Sequence, residues 1–166
     1  MKGVADSSVL ISLSAINQLE LLCKRFSEVT IPQAVQEEVV IEGTGQPGSQ
    51  EVQSSNWIRV QEVKDRSFVR LLKAELDQGE SEAIVLAREL NADLVLLDEK
   101  DARSKAKQVG LRILGTIGIL VWAKKAGHIP SLRGQLDALR EKAKFRISTG
   151  LYEQVLKSVS ETSFEP

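Results

Sequence analysis

Apolar and polar residues follow two rhythms along the chain, one helical and one strand-like, and the two take turns. Lys2 to Asp6 predicts a short strand. Ser7 or Ser8 can cap a helix whose apolar positions Leu10, Leu13, Ile16, Leu19 and Leu22 recur at three-residue steps to about Phe26. Glu28 to Ile31 predicts a second strand, and Pro32 suits the first turn of a helix with Val35, Val39 and Val40 on one side. Gly43 to Ser49, which also contains Gly45, Pro47 and Gly48, breaks that helix and predicts a mobile loop.

Trp57 to Val63 alternates in the manner of a third strand. Asp65 can cap a helix to about Asp77 that Gly79 terminates, and a second helix from about Ser81 to Leu90 follows. Leu94 to Leu97 is an unbroken apolar run, as in a parallel strand covered on both faces, and it ends at Asp98. A helix from about Asp101 to Val109 stops at Gly110, and Arg112 to Leu114 makes a fifth strand. A helix from Thr116 to Ala126 is ended by Gly127, and Ser131 and Ser148 cap two final helices.

This alternation predicts an α/β fold: a three-layer α/β/α sandwich around a five-stranded parallel sheet, plus C-terminal helices. With 166 residues, 42% of them hydrophobic, the chain can bury one core. The expectation is a single domain over 1–166, of which 131–166 is a C-terminal helical extension. Leu132, Leu136 and Leu139, then Leu151, Val155 and Val159, form apolar stripes that either cover the sheet or make a subunit interface. The longest apolar run, Leu114 to Ala123, is about half of the ~20 residues a membrane-spanning helix needs. No membrane span and no secretory signal are expected, which points to the cytoplasm.

The net charge of −1 conceals a polarity: residues 1–50 carry −3, residues 51–100 carry −4 and residues 101–166 carry +6. An acidic site beside a basic flank suits a cation and a polyanion together, although late-lying solvated lysines give the same count. One cysteine, Cys23, and one histidine, His128, exclude an internal disulfide and a histidine-rich zinc site. Any metal must be held by oxygen. Cys23 reads as a small buried hydrophobe, His128 as a loop residue, and Trp57 and Trp122 as core.

Parallel sheets bind ligands beyond the carboxyl ends of their strands. Asp6 ends the first strand, Asp98 ends the fourth, Glu80 and Glu82 open the helix before the fourth, and Glu38 lies two turns into the helix after the second. Carboxylates that close together resist joint ionisation unless a cation joins them, and Mg²⁺ or Mn²⁺ is the cation that prefers such donors. Singly, each acid has a plainer reading: Asp6 as a helix cap, Glu38 as a solvated residue, Asp98 as a turn.

The segments Val4-Ala5-Asp6-Ser7-Ser8, Ile31 to Val39, Gly79-Glu80-Ser81-Glu82-Ala83 and Leu96-Leu97-Asp98-Glu99, followed by Arg103 and by Gly115-Thr116, resemble the motifs of the PIN-domain family. The likeness runs over almost the whole chain. It points to a prokaryotic branch of formerly unknown function, related to VapC-type toxin ribonucleases. The resemblance implies an α/β/α sandwich that hydrolyses RNA phosphodiesters with Mg²⁺ or Mn²⁺, leaving a 5′ phosphate, as the toxin of a toxin–antitoxin pair. It implies a cognate antitoxin and a homodimer as well.

Carried over, it makes Asp6, Glu38, Glu82 and Asp98 the catalytic metal ligands, with Ser8 orienting them and Glu80, Glu99 and Arg103 in support. Glu80 is an alternative to Glu82, and Glu99 or Asp101 to Asp98. Lys100, Lys105 and Lys107 are the expected RNA contacts, and Arg103, Lys124 and Lys125 flank the predicted site with them. The rival reading is a non-catalytic PIN-like module that binds RNA or protein. A receiver domain and a haloacid-dehalogenase phosphatase are disfavoured: the first needs a lysine after the last strand, where Gly115 and Thr116 stand, and the second needs an Asp where Ser8 stands.

Overall fold

The computed structural model describes residues 1–161. Five strands, β1 (Lys2–Ala5), β2 (Glu28–Pro32), β3 (Ile58–Gln61), β4 (Leu94–Leu96) and β5 (Ile113–Leu114), form one sheet in the order β3-β2-β1-β4-β5. Every pairing is parallel. Neighbouring residues in β1 and β4 serve opposite faces, which is why these strands read as continuous apolar runs. Ala5, Leu94 and Leu96 join one core with Leu10, Leu13, Ile119 and Leu120, whereas Val4, Val95 and Leu97 join the other with Val69, Leu72, Ile84 and Leu86. Helices therefore cover both faces, giving the expected three-layer sandwich.

The helices are α1 (Ser7–Ala15), α2 (Leu21–Arg25), α3 (Gln33–Gln36), α4 (Ser49–Ser54), α5 (Arg66–Leu72), α6 (Gln78–Glu89), α7 (Lys100–Gln108), α8 (Thr116–Lys125), α9 (Leu132–Lys142) and α10 (Thr149–Ser158). Leu132, Leu136, Leu139 and Leu156 are fully buried in the same core as β1 and α1. Ser131 and Ser148 cap α9 and α10, their hydroxyls accepting from Gly134 N and Leu151 N at 3.0 and 3.1 Å. The Glu161 carboxylate also closes the start of α9, accepting from Leu132 N at 2.7 Å and Arg133 N at 3.2 Å.

Several elements differ from the sequence expectation. The helix expected from Ser7 to Phe26 is two helices. Asn17 takes a left-handed φ of 58° between them, and Gln18 N turns back to Leu13 O at 2.8 Å. Apolar residues three apart drift around a helix of 3.6 residues per turn, so one straight helix cannot bury the whole series on one side. The second helix after β3 starts at Gln78, because Asp77 is its cap, and Gly79 lies within its first turn rather than ending the helix before it. Helix α4 was not expected, and Gly43 to Ser49 is pinned: Gln46 N bonds Gly43 O at 2.8 Å and the buried Ser49 hydroxyl bonds Val40 O at 2.8 Å. Cys23 is exposed rather than buried. It sits on the outer side of the short helix α2, whose Leu21 and Leu22 face the core.

Candidate active site

The sheet reverses its winding at β1. From β1 the chain moves outward to β2 and β3, then returns to β4 on the other side of β1 and continues to β5. A crevice opens beyond the strand ends at such a point. Asp6 stands there, its amide bonded to Leu96 O of β4 at 3.1 Å, and Asp98 leaves β4 two residues later.

Asp6 is 5% exposed. Burial pushes its carboxyl up to about 8; the Ser7 amide opposes the shift, and the carboxylates of Asp77, Glu80 and Glu38 add to it. Glu38 reaches the crevice from a π-helical turn, Glu37–Glu42, that continues α3. Such wide turns rotate side chains out of the 3.6-residue phase and recur at functional sites. The turn closes on Gly43, where a Cβ would lie 2.6 Å from Val39 O.

Gly79 shows how near the two acids are. A Cβ at this position would lie 3.3 Å from Asp6 Oδ1, 3.5 Å from Val35 Cγ2 and 3.6 Å from Glu38 Oε1, so both carboxylate oxygens border the space over this glycine. The same first turn of α6 carries a capping box in which Asp77 Oδ1 accepts from Glu80 N at 2.7 Å and Glu80 Oε1 from Asp77 N at 3.1 Å. Burial raises the Glu80 carboxyl, the Asp77 amide lowers it, and Asp77, Glu99 and Glu38 raise it further.

Glu82 is placed differently. At 3% exposure its Oε1 accepts from Ala34 N at 3.2 Å, and its Oε2 takes Arg66 Nη1 at 3.2 Å and the Gln78 amide. Those contacts tie α6 to α3 and α5. Two residues along a helix turn a side chain by about 200°, so Glu80 and Glu82 cannot both face Asp6, and it is the Glu80 charge that bears on the Asp6 carboxyl.

Asp98 Oδ1 accepts from Thr116 N at 2.8 Å and its Oδ2 from the Thr116 hydroxyl at 2.7 Å, which fixes the start of α8. Burial raises its carboxyl, against the pull of Thr116 and of Arg103. A Cβ on Gly115 would lie 2.7 Å from Arg103 Nη1 and 3.0 Å from Asp98 Oδ1, so this glycine lets the pair approach. Arg103 itself donates to Leu97 O at 2.9 Å.

Glu99 is exposed at the N-terminal boundary of α7 without a side-chain capping bond, and Asp101 is exposed beside Glu75 and Lys105. Lys100 and Lys107 are exposed, whereas Lys105 pairs with Glu75 at 2.7 Å. Among the described residues, the buried hydroxyls of Ser7, Ser8 and Ser81 have no hydrogen-bond partner.

The donors at the crevice are carboxylate and hydroxyl oxygens, the set that Mg²⁺ and Mn²⁺ prefer. Among the described residues no three acidic, histidine or cysteine side chains are grouped to hold one ion by direct ligation. Asp6 and Glu38 at the Gly79 gap satisfy the lesser demand of an ion held by one or two carboxylates and by waters.

The fold and this acidic crevice define an α/β/α protein with an oxygen-donor site at the switch point of a parallel sheet. The family model DUF3368, described as a PIN domain, matches residues 2–161, and the chain belongs to that family. PIN domains are generally nucleases and typically use divalent metals. No protein of curated function matches the sequence. Among solved structures it is similar to a PilT N-terminus domain protein from the hyperthermophilic archaeon Sulfolobus solfataricus P2, at 18% identity over 89% of this chain and 98% of that one, with a TM-score of 0.42. No helix among the described residues is long and apolar enough to cross a membrane.

Proposed function

We propose that the chain is a divalent-metal-dependent endoribonuclease. The observation that carries this reading is the buried Asp6 carboxyl sharing the Gly79 gap with Glu38 Oε1. A carboxylate this buried and surrounded by other acids ionises at neutral pH only when a cation compensates it. Asp6 and Glu38 would hold the ion, with Glu80 and Asp98 adding negative charge at the same end of the sheet. Glu82, the acid implied by the family resemblance, acts in this reading as a positioning residue that holds α6 against α3.

When bound, Mg²⁺ or Mn²⁺ supplies the positive charge that activates the attacking water and stabilises the charge developing on the phosphodiester. Asp6 and Glu38 would fix where that charge sits, and Thr116 bonds both oxygens of Asp98. The crevice carries no histidine, so proton acceptance falls to the carboxylates. In the resemblance from which this reading starts, the chain is the toxin of a toxin–antitoxin pair, with an antitoxin partner and a homodimeric assembly.

Cleavage of a single-stranded RNA by the purified chain should require Mn²⁺ or Mg²⁺ and stop in EDTA. RNA binding without cleavage, indifferent to chelator, would establish the non-catalytic module instead. Gly79→Ala gives a sharper test. The added methyl meets Asp6 and Glu38, while alanine's better helix propensity offsets part of the cost of that contact. The variant should fold with near-normal thermal stability in EDTA, yet lose most Mn²⁺-induced stabilisation and at least about tenfold in cleavage rate.

A further inference from the structure

The connection between α9 and α10, residues 143–148, borders Asp98 and Glu99 and is tied down by hydrogen bonds. Phe145 N bonds Leu139 O at 3.1 Å, Arg140 Nη2 bonds Ile147 O at 2.8 Å, and Ile147 is buried. Its tips, Lys144 and Arg146, are exposed, and among the described residues neither forms a salt bridge with an acid.

Two cavities meet on this connection. One, of about 400 Å³, runs from Ser8 and Ser12 past Asp98 and Glu99 to Lys144 and Arg146. The other, of about 450 Å³, continues from Asp98 to Arg103 over an apolar floor that includes Leu114, Ile117 and Leu151. Asp98, Phe145 and Arg146 border both. The result is one trough with acids on one wall and unpaired cations on the other.

Resting on the ribonuclease reading above, we propose that this trough is the path of the RNA strand, with Lys144 and Arg146 holding the phosphates that flank the cleaved one. The half-buried Phe145 and the apolar floor beside Arg103 take a base. Such cations offset the repulsion between a polyanion and the carboxylates of the site, and they give affinity without sequence information. The α7 lysines expected from sequence are less suited: Lys105 is engaged by Glu75 and its neighbour Asp101 is acidic.

The test pairs the double variant Lys144→Gln/Arg146→Gln with the control Arg70→Gln/Lys73→Gln, two exposed cations at the end of α5. Binding of a short fluorescein-labelled single-stranded RNA is followed by anisotropy in EDTA across a salt series, and its cleavage is followed in Mn²⁺. The double variant should bind at least about tenfold more weakly and flatten the log–log salt dependence by about 1.4, the loss of two phosphate contacts at roughly 0.7 each. Its KM should rise while kcat holds, and the control should stay within about twofold of wild type on every measure. Wild-type affinity and salt slope in the double variant, with wild-type cleavage intact, would overturn the strand path and leave the nuclease reading standing. A wild-type chain that neither binds nor cuts RNA would overturn both.

Discussion

Replacing Asp6 with Asn is expected to make the metal-free chain harder to unfold while abolishing RNA cleavage. The Asp6 carboxyl titrates at about 8 in the folded chain, against an ordinary value of 3.8. Between those values the folded state holds one proton more than the unfolded state. The stability this group contributes is therefore full below pH 3.8 and is lost as pH rises towards 8, at about 1.4 kcal/mol per pH unit. Asn keeps the shape and does not titrate. Its advantage over Asp6 should grow with pH to about 2–4 kcal/mol near pH 7, read as a widening gap in urea midpoints between pH 5 and pH 8 in EDTA. Millimolar Mn²⁺ should then stabilise the wild type and leave Asp6→Asn unmoved. A less stable Asp6→Asn in EDTA, or equal stabilisation of both chains by Mn²⁺, would show that Asp6 is not a cation site.

Arg66→Ala should lower stability by about 1–2 kcal/mol, less than the loss of a wholly buried partner because half of its side chain is solvated. Glu82 lies in the packing between α3, α5 and α6, and Arg66 is its only salt-bridge partner among the described residues. Removing the guanidinium leaves a buried carboxylate with two neutral donors, Ala34 N and the Gln78 amide. Because half of the Arg66 side chain faces solvent, truncating it opens no cavity, and the cost is electrostatic. Denaturation should show that loss, whereas Glu80→Gln should lower cleavage with little change in the unfolding midpoint. The reverse pattern would exchange the roles assigned to Glu80 and Glu82.

The sheet was legible because strands buried on both faces leave unbroken apolar runs, as Leu94 to Leu97 does, and because Asp6 and Asp98 stand where those runs end. The site was legible only in outline. A motif that reads Gly79-Glu80-Ser81-Glu82 names two acids without saying which side of the helix faces β1, and the answer depends on Asp77 starting α6 three residues earlier than periodicity predicts. The wide turn that carries Glu38 has no signature in a 3.6-residue pattern. Nor does the chain announce that both oxygens of Asp98 are engaged by Thr116, a contact between residues far apart in sequence. Lys144 and Arg146 carry no signal of their own in the sequence, because they fall between two helices whose apolar stripes read as packing, whereas Lys100, Lys105 and Lys107 stand nearest Asp98 along the chain.

The brevity of β5 has a consequence for assembly. A two-residue strand at the rim of the sheet offers an incoming chain too few free amides and carbonyls to template an added strand. Sheet extension by another molecule is thereby left to the opposite rim, the four-residue edge strand β3, whose Arg59 is paired inward with Glu28 of β2.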